Sequence, residues 1–125
     1  MTRSEIKNIF VFGSNLAGRH GAGSAKEALD WHGATYGVGV VPQGHAYAIP
    51  TKDENFNVLP LSTIGKYVLE FLLYARENKD CQFNVVEVGC GLAGYGPEDI
   101  APLFVGKIPE NVKLPKSFVK VLEKD

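Results

Sequence analysis

The residues of this sequence best suited to chemistry lie in two glycine-rich segments, Gly13–Ser24 and Gly89–Gly96, each of which follows a short apolar run. The first carries Gly18, Gly21 and Gly23 directly before a helix-favouring stretch. Backbone N–H groups of Gly21, Ala22, Gly23 and Ser24 can therefore close on an anion that a helix N-terminus also favours. The second intersperses Gly89, Gly91, Gly94 and Gly96 with Cys90, Leu92, Ala93 and Tyr95. Its backbone can wrap an anion while Leu92 and Tyr95 supply apolar walls. Facing each other, the two segments would clamp a diphosphate of a nucleotide-type ligand. Neither spacing is the Gly-x-Gly-x-x-Gly dinucleotide fingerprint, and no Gly-Lys-Ser/Thr ending is present. The plain alternative is that these glycines only make tight strand-to-helix turns.

Other polar residues could join such a site. Asn15 offers amide donors and a carbonyl acceptor, which suit a ribose hydroxyl; Asn is equally at home in a turn. Lys52 can bind phosphate or, if desolvated, attack an aldehyde-like sugar carbon, against the commoner case of a surface lysine without a role. Asp53 and Glu54 are the nearby candidate acids or bases, with solvated loop charges as the alternative. His20, flanked by glycine, is a possible ligand contact, whereas His32 and His45 read as ordinary loop residues. The histidines are scattered and carboxylates do not cluster, so neither a metal nor a cofactor is expected. Cys81 and Cys90 lack a Cys-x-x-Cys spacing, which leaves no zinc site or redox pair to propose.

The elements that must hold these residues alternate in type. Asn8–Phe12 is an apolar, β-branched and aromatic run that reads as a strand buried on both faces and stops at Gly13. Ala25–Trp31 favours helix, with Gly33 as its stop. Thr35–Gln43 carries no assignable pattern. Ala46–Pro50 predicts a second buried strand with Thr51-Lys52-Asp53 at its exit. Apolar residues at Leu61, Ile64, Val68, Phe71, Leu72 and Ala75 predict an amphipathic helix over Leu61–Asn78. Phe83–Val88 predicts a third strand feeding the second glycine loop, and Pro97 with Glu98 and Asp99 suits the first turn of another helix. An edge strand is expected around Val112–Leu114, followed by an apolar–polar alternation at Phe118–Leu122. This order predicts a mixed or mostly parallel sheet with helices on both faces and ligand loops along one sheet edge.

At 125 residues, 45% of them hydrophobic, the chain predicts one domain over residues 1–125. A net charge of -1 argues against an extended nucleic-acid surface, because that mode needs many phosphate-neutralising cations. No apolar run approaches a membrane span of roughly 20 residues, and the polar N-terminus leads straight into a strand. A cytoplasmic, reduced protein is expected, with no membrane association. Oligomeric state is not legible.

In combination, Asn15, then Gly21-Ala22-Gly23, then Tyr47–Lys52, then Gly89-Cys90-Gly91-Leu92 resemble the macrodomains, and look closest to the branch containing the terminal ADP-ribose glycohydrolases. The resemblance runs from about Ile9 to Phe104. It implies a three-layer α/β/α fold with a mixed central sheet that binds ADP-ribose, the Gly21–Ser24 and Gly89–Tyr95 loops surrounding the diphosphate and distal ribose. In that branch a lysine after threonine can attack the distal ribose, and Lys52 stands at the matching position. The acidic partner that follows Gly-Cys-Gly-Leu in those glycohydrolases is replaced by Ala93. The earlier Gly-Asp pair that reads adenine in many macrodomains has no counterpart. The expected partner is thus ADP-ribose or an ADP-ribosylated substrate. Hydrolysis from a protein, nucleic acid or small molecule would use Lys52, with Asp53 as first candidate for acid–base work. The alternative is a non-catalytic reader or sequestering module using the same cleft, and a third is a structural domain whose glycine turns are empty.

Overall fold

The computed structural model describes residues 7–17, 41–43, 45–90, 93–104, 106 and 108–123. The helix expected at Ala25–Trp31, the loop residues Gly18, His20, Gly21, Ala22, Gly23 and Ser24, the stop at Gly33, and His32, Gly91 and Leu92 lie outside the described residues.

Among the described residues five strands form one sheet: β1 (Lys7–Asn15), β2 (Val41–Gln43), β3 (Ala46–Lys52), β4 (Cys81–Val85) and β5 (Val112–Lys113), in spatial order β2-β3-β1-β4-β5. The strands β3, β1, β4 and β5 are mutually parallel, and β2 adds an antiparallel edge. The chain is thus α/β with a mixed, mainly parallel sheet. Three helices accompany it among the described residues: α1 (Leu61–Glu77), α2 (Pro97–Ile100) and α3 (Lys116–Glu123), with a 3-10 turn at Ala101–Leu103 between the last two.

The near-continuous apolar run of β1 follows from burial on both faces. Ile9 and Val11 join Tyr47, Ile49, Phe83 and Val85 in the main core, whereas Phe12, Ala46 and Ala48 form a second buried cluster with Phe10 beside it. Helix α1 covers the first of these faces with Ile64, Val68, Phe71, Leu72 and Ala75. Phe71 meets Tyr47 and Phe83 edge-on at ring separations of 5.0 and 5.5 Å, a geometry in which the positive ring edge faces a negative ring face. The helix ends where Asn78 donates its side-chain amide to the Tyr74 carbonyl. Asn111 closes the same corner, its Nδ2 donating to the Ala75, Asn78 and Cys81 carbonyls at 2.9–3.1 Å.

Several elements differ from the sequence expectation, among them β3, which runs on to Lys52 rather than ending at Pro50. Strand β1 does not stop at Gly13: Gly13 and Ser14 pair with Ile49 and Pro50, carrying the strand to Asn15. Strand β4 ends at Val85 rather than Val88, because the Val88 N–H turns back to the Val86 carbonyl and leaves the sheet. The apolar–polar tail at Phe118–Leu122 is helical, with Phe118 buried against Phe104 and Val121 partly buried one turn on. Spacing of three along a helix puts both on one face.

Candidate functional site

In a parallel array the strands share a carboxyl edge, and here the exits of β1, β3 and β4 converge on one. Gly13 is where they touch. A Cβ at Gly13 would stand 3.4 Å from the Gly89 nitrogen, 3.6 Å from the Val88 Cα and 3.7 Å from the Thr51 Cγ2. The backbone of the β4 exit and the Thr51 methyl therefore both lie within ordinary van der Waals reach of this position, so the three exits meet around it.

The β1 and β3 exits are joined by more than the ladder. The pairing shifts register between Ser14 and Asn15, so that Ser14 faces Pro50 while Asn15 faces Lys52. Thr51, the residue left over, is buried and donates its hydroxyl to the Ser14 carbonyl at 3.2 Å. A bulge of this kind re-aims the side chains that follow it. Asn15 is therefore the buried last residue of a strand rather than the start of a loop, and its ladder partner Lys52 is half-buried at the end of β3. The Leu16 N–H then donates to the Lys52 carbonyl at 3.0 Å.

Beyond Lys52 the chain makes a tight turn. The Asp53 Oδ1 accepts the N–H groups of Asn55 and Asn57 at 2.8 and 2.9 Å, and the Asn57 carbonyl accepts the Asp53 N–H. Lys52 and Val58 form an antiparallel bridge that closes it. These donors, the Asn57 N–H foremost, hold the Asp53 carboxyl below its ordinary range. Asp53 is consequently ionised at neutral pH, has no proton to donate as a general acid, and orders the turn that carries Lys52. Glu54 is exposed beside it.

The β4 exit folds around Gly89, which is buried at φ +77° with its carbonyl accepting the Tyr95 N–H at 2.9 Å. Gly94 also has positive φ, at +87°. Ala93 is half-buried in the turn before it, and Tyr95 sends its hydroxyl to the Leu59 carbonyl at 2.7 Å. Since the Leu59 N–H donates to the Thr51 carbonyl, the second glycine loop is braced against the β3 exit. Cys90 is half-buried, and burial, followed by the charges of Glu87, Glu98 and Asp99, pushes its thiol up to about 11. It stays protonated at neutral pH and is no nucleophile.

The structure thus brings Asn15, Lys52, Asp53, Gly89, Cys90, Ala93, Gly94 and Tyr95 to one end of the sheet. Thr51 and Leu59 tie the exits together; the sequence named Thr51 only as the strand-exit neighbour of Lys52 and did not single out Leu59. Among the described residues no group of three or more His, Cys, Asp or Glu side chains can hold a metal ion. No described helix is long and apolar enough to cross a membrane. A separate hollow of about 830 Å³, lined by Arg76, Lys79, Ile108, Pro109, Glu110 and Asn111, lies by the amino ends of β4 and β5. Open α/β sheets take ligands at the carboxyl ends of their strands, so the Gly13–Gly89 end is the candidate site. Compared with protein-family models, curated proteins and solved structures, the chain matches none.

Proposed function

We propose that the carboxyl edge of this sheet binds ADP-ribose or a related ADP-ribose derivative, on a three-layer macrodomain-like scaffold. The observation that carries the reading is the convergence of the β1, β3 and β4 exits at Gly13. A diphosphate at this edge would lie by the backbone of Gly89 and by the end of β3, where Lys52 offers an ammonium, a point charge suited to phosphate. Asn15, beside Lys52 in the ladder, supplies the amide for the distal ribose. The resemblance in the Thr51-Lys52 exit and the Gly89–Leu92 loop narrows the anion to ADP-ribose. The test is a titration of the whole chain with ADP-ribose up to millimolar concentration, read by calorimetry and thermal shift. Saturable binding weakened by Lys52→Ala is expected; no heat and no shift refutes the reading.

One observation favours a non-catalytic reader over a glycohydrolase. Asp53 is committed to the turn as an ionised acceptor, and Ala93 supplies no acid. Turnover of ADP-ribosylated protein and ADP-ribosylated DNA by wild type and Lys52→Ala separates the two. Hydrolysis abolished by the substitution establishes the glycohydrolase with Lys52 at its centre, whereas binding without turnover establishes the reader.

A further inference from the structure

At the opposite end of the sheet from Gly13, the hollow by the amino ends of β4 and β5 measures about 830 Å³, within the roughly 300–1,000 Å³ of small-molecule sites. Two segments wall it. Arg76, in the last turn of α1, and Lys79, just beyond that helix, come from one; Ile108, Pro109, Glu110 and Asn111, which lead into β5, come from the other. Arg76, Lys79 and Glu110 are exposed, whereas Ile108, Pro109 and Asn111 are half-buried. The lining thus combines two cations, one carboxylate and an apolar surface.

The second segment is held in place by its backbone and by the Asn111 side chain. The Asn111 carbonyl accepts the Phe83 N–H at 2.7 Å, and the Pro109 carbonyl accepts the Val112 N–H at 3.1 Å. The Asn111 Nδ2 donates to the Ala75 and Asn78 carbonyls, which ties this segment to the end of α1. Those bonds leave the charges uncommitted. The Tyr74 carbonyl accepts the Asn78 side-chain amide, and the Ala75 carbonyl accepts the Asn78 N–H as well as the Asn111 amide, so these helix-end carbonyls are satisfied without Arg76. Among the described residues, Arg76, Lys79 and Glu110 form no ion pair and their side chains make no hydrogen bond. Asn111, with Nδ2 spent on carbonyls, has its Oδ1 to offer a ligand as an acceptor.

From this we infer that the hollow binds a short peptide with free ends, its carboxylate on Arg76 and Lys79, its ammonium on Glu110 and an apolar side chain against Ile108 and Pro109. The Arg76 guanidinium suits a carboxylate because it can donate two parallel N–H bonds to it, and Lys79 adds a second positive charge. The ammonium brings three N–H donors, for which the Glu110 carboxylate and the Asn111 Oδ1 are acceptors. A ligand of one sign leaves part of this lining repelled: a simple anion meets Glu110, and a simple cation meets Arg76 and Lys79. Opposite charges at the two ends of one small molecule answer all three. The space also exceeds what a single amino acid fills, so the ends are those of a peptide. The inference goes beyond the ADP-ribose reading and does not depend on it.

The test titrates the whole, isotope-labelled chain with the tripeptide alanyl-leucyl-alanine, with its N-acetylated and C-amidated forms, and with inorganic phosphate, read by NMR. The backbone N–H signals of Lys79, Glu110 and Asn111 are expected to move saturably at millimolar tripeptide. Acetylation and amidation are each expected to weaken binding about three- to fivefold, the upper range of an exposed ion pair. The double variant Arg76→Gln, Lys79→Gln should bind the free-ended and C-amidated peptides alike, and Glu110→Gln should bind the free-ended and N-acetylated peptides alike, because the partner of the removed charge is already gone. The substituted residues are exposed, so the variants are expected to keep the wild-type Tm. Absence of any movement at these signals overturns the inference, as does equal binding of the free-ended and blocked peptides. Phosphate bound as tightly as the tripeptide, with Glu110→Gln without effect, overturns it in favour of a simple anion site. Displacement of the tripeptide by ADP-ribose overturns it too, by placing both ligands at one site. Because the hollow and the Gly13 end are at opposite ends of the sheet, failure of the tripeptide titration leaves the ADP-ribose reading standing, and the reverse holds equally.

Discussion

Replacing Gly89 by alanine isolates what the second glycine loop requires of its backbone. Gly89 sits at φ +77°, where an L side chain costs about 1–2 kcal/mol from the clash of Cβ with the following carbonyl. The new Cβ would also lie 2.9 Å from the Ile100 Cδ1 and 3.3 Å from its Cγ1. Ile100 is fully buried and cannot swing into solvent, so this overpacking adds about 1–3 kcal/mol. The expected loss is about 2–5 kcal/mol, read from urea unfolding followed by circular dichroism. Two neighbours separate the terms. Gly94 has positive φ but nothing within 4 Å of its Cβ, so Gly94→Ala should lose only the conformational part, about 1–2 kcal/mol. Gly13 has contacts of 3.4–3.7 Å and no positive φ, so Gly13→Ala should change stability by no more than about 1 kcal/mol in either direction. Combining Gly89→Ala with Ile100→Val, which removes Cδ1, should leave a double variant less unstable than the sum of the singles. Strict additivity, or a loss at Gly89 no larger than at Gly94, would refute the packing argument.

Asn111→Ala strips one amide from the carbonyls of Ala75, Asn78 and Cys81, and should cost about 1–3 kcal/mol in the same unfolding assay. The Asp53 carboxyl is held below its ordinary 3.8 by the Asn57 N–H above all, so the stability it contributes is present above that pH and is lost as pH falls through the lower folded value. Acid unfolding of Asp53→Asn, followed from pH 6 to pH 2 (about the range a carboxylate spans), should accordingly show a shallower acid limb than wild type. Cys90, with its thiol raised to about 11, should react far more slowly with iodoacetamide at neutral pH than it does after denaturation. Equal rates would mean that the β4 exit is open rather than packed.

Much of the architecture was readable because it rests on local rules. The 3.6-residue spacing of Leu61, Ile64, Val68, Phe71, Leu72 and Ala75 identified α1 to within one residue of its end, since only one face of that helix meets the core. The doubly apolar Ile9–Phe12 and Ala46–Ile49 marked the central parallel strands for a similar reason. The boundaries that escaped depend on partners distant in sequence. Gly13 and Ser14 remain in β1 because Ile49 and Pro50 lie alongside.

The candidate site divides along the same line. Residue types alone proposed the Gly89–Gly96 segment, Lys52 and Asn15, because glycine-rich loops and strand-exit cations are properties of short segments. That Asn15 and Lys52 are ladder partners, that Thr51 bonds the Ser14 carbonyl, and that β4's exit packs beside Gly13 all follow from the pairing of the sheet. Asp53 shows the limit most directly. Its carboxylate and its place after Lys52 suited acid–base work, and the path of residues 53–57 adds two backbone N–H groups on its Oδ1. Which groups are available for chemistry is a matter of residue type and is readable from the chain alone. Which of those groups share one sheet edge depends on contacts between segments far apart in the chain, such as the pairing of Asn15 with Lys52, and these form only on folding.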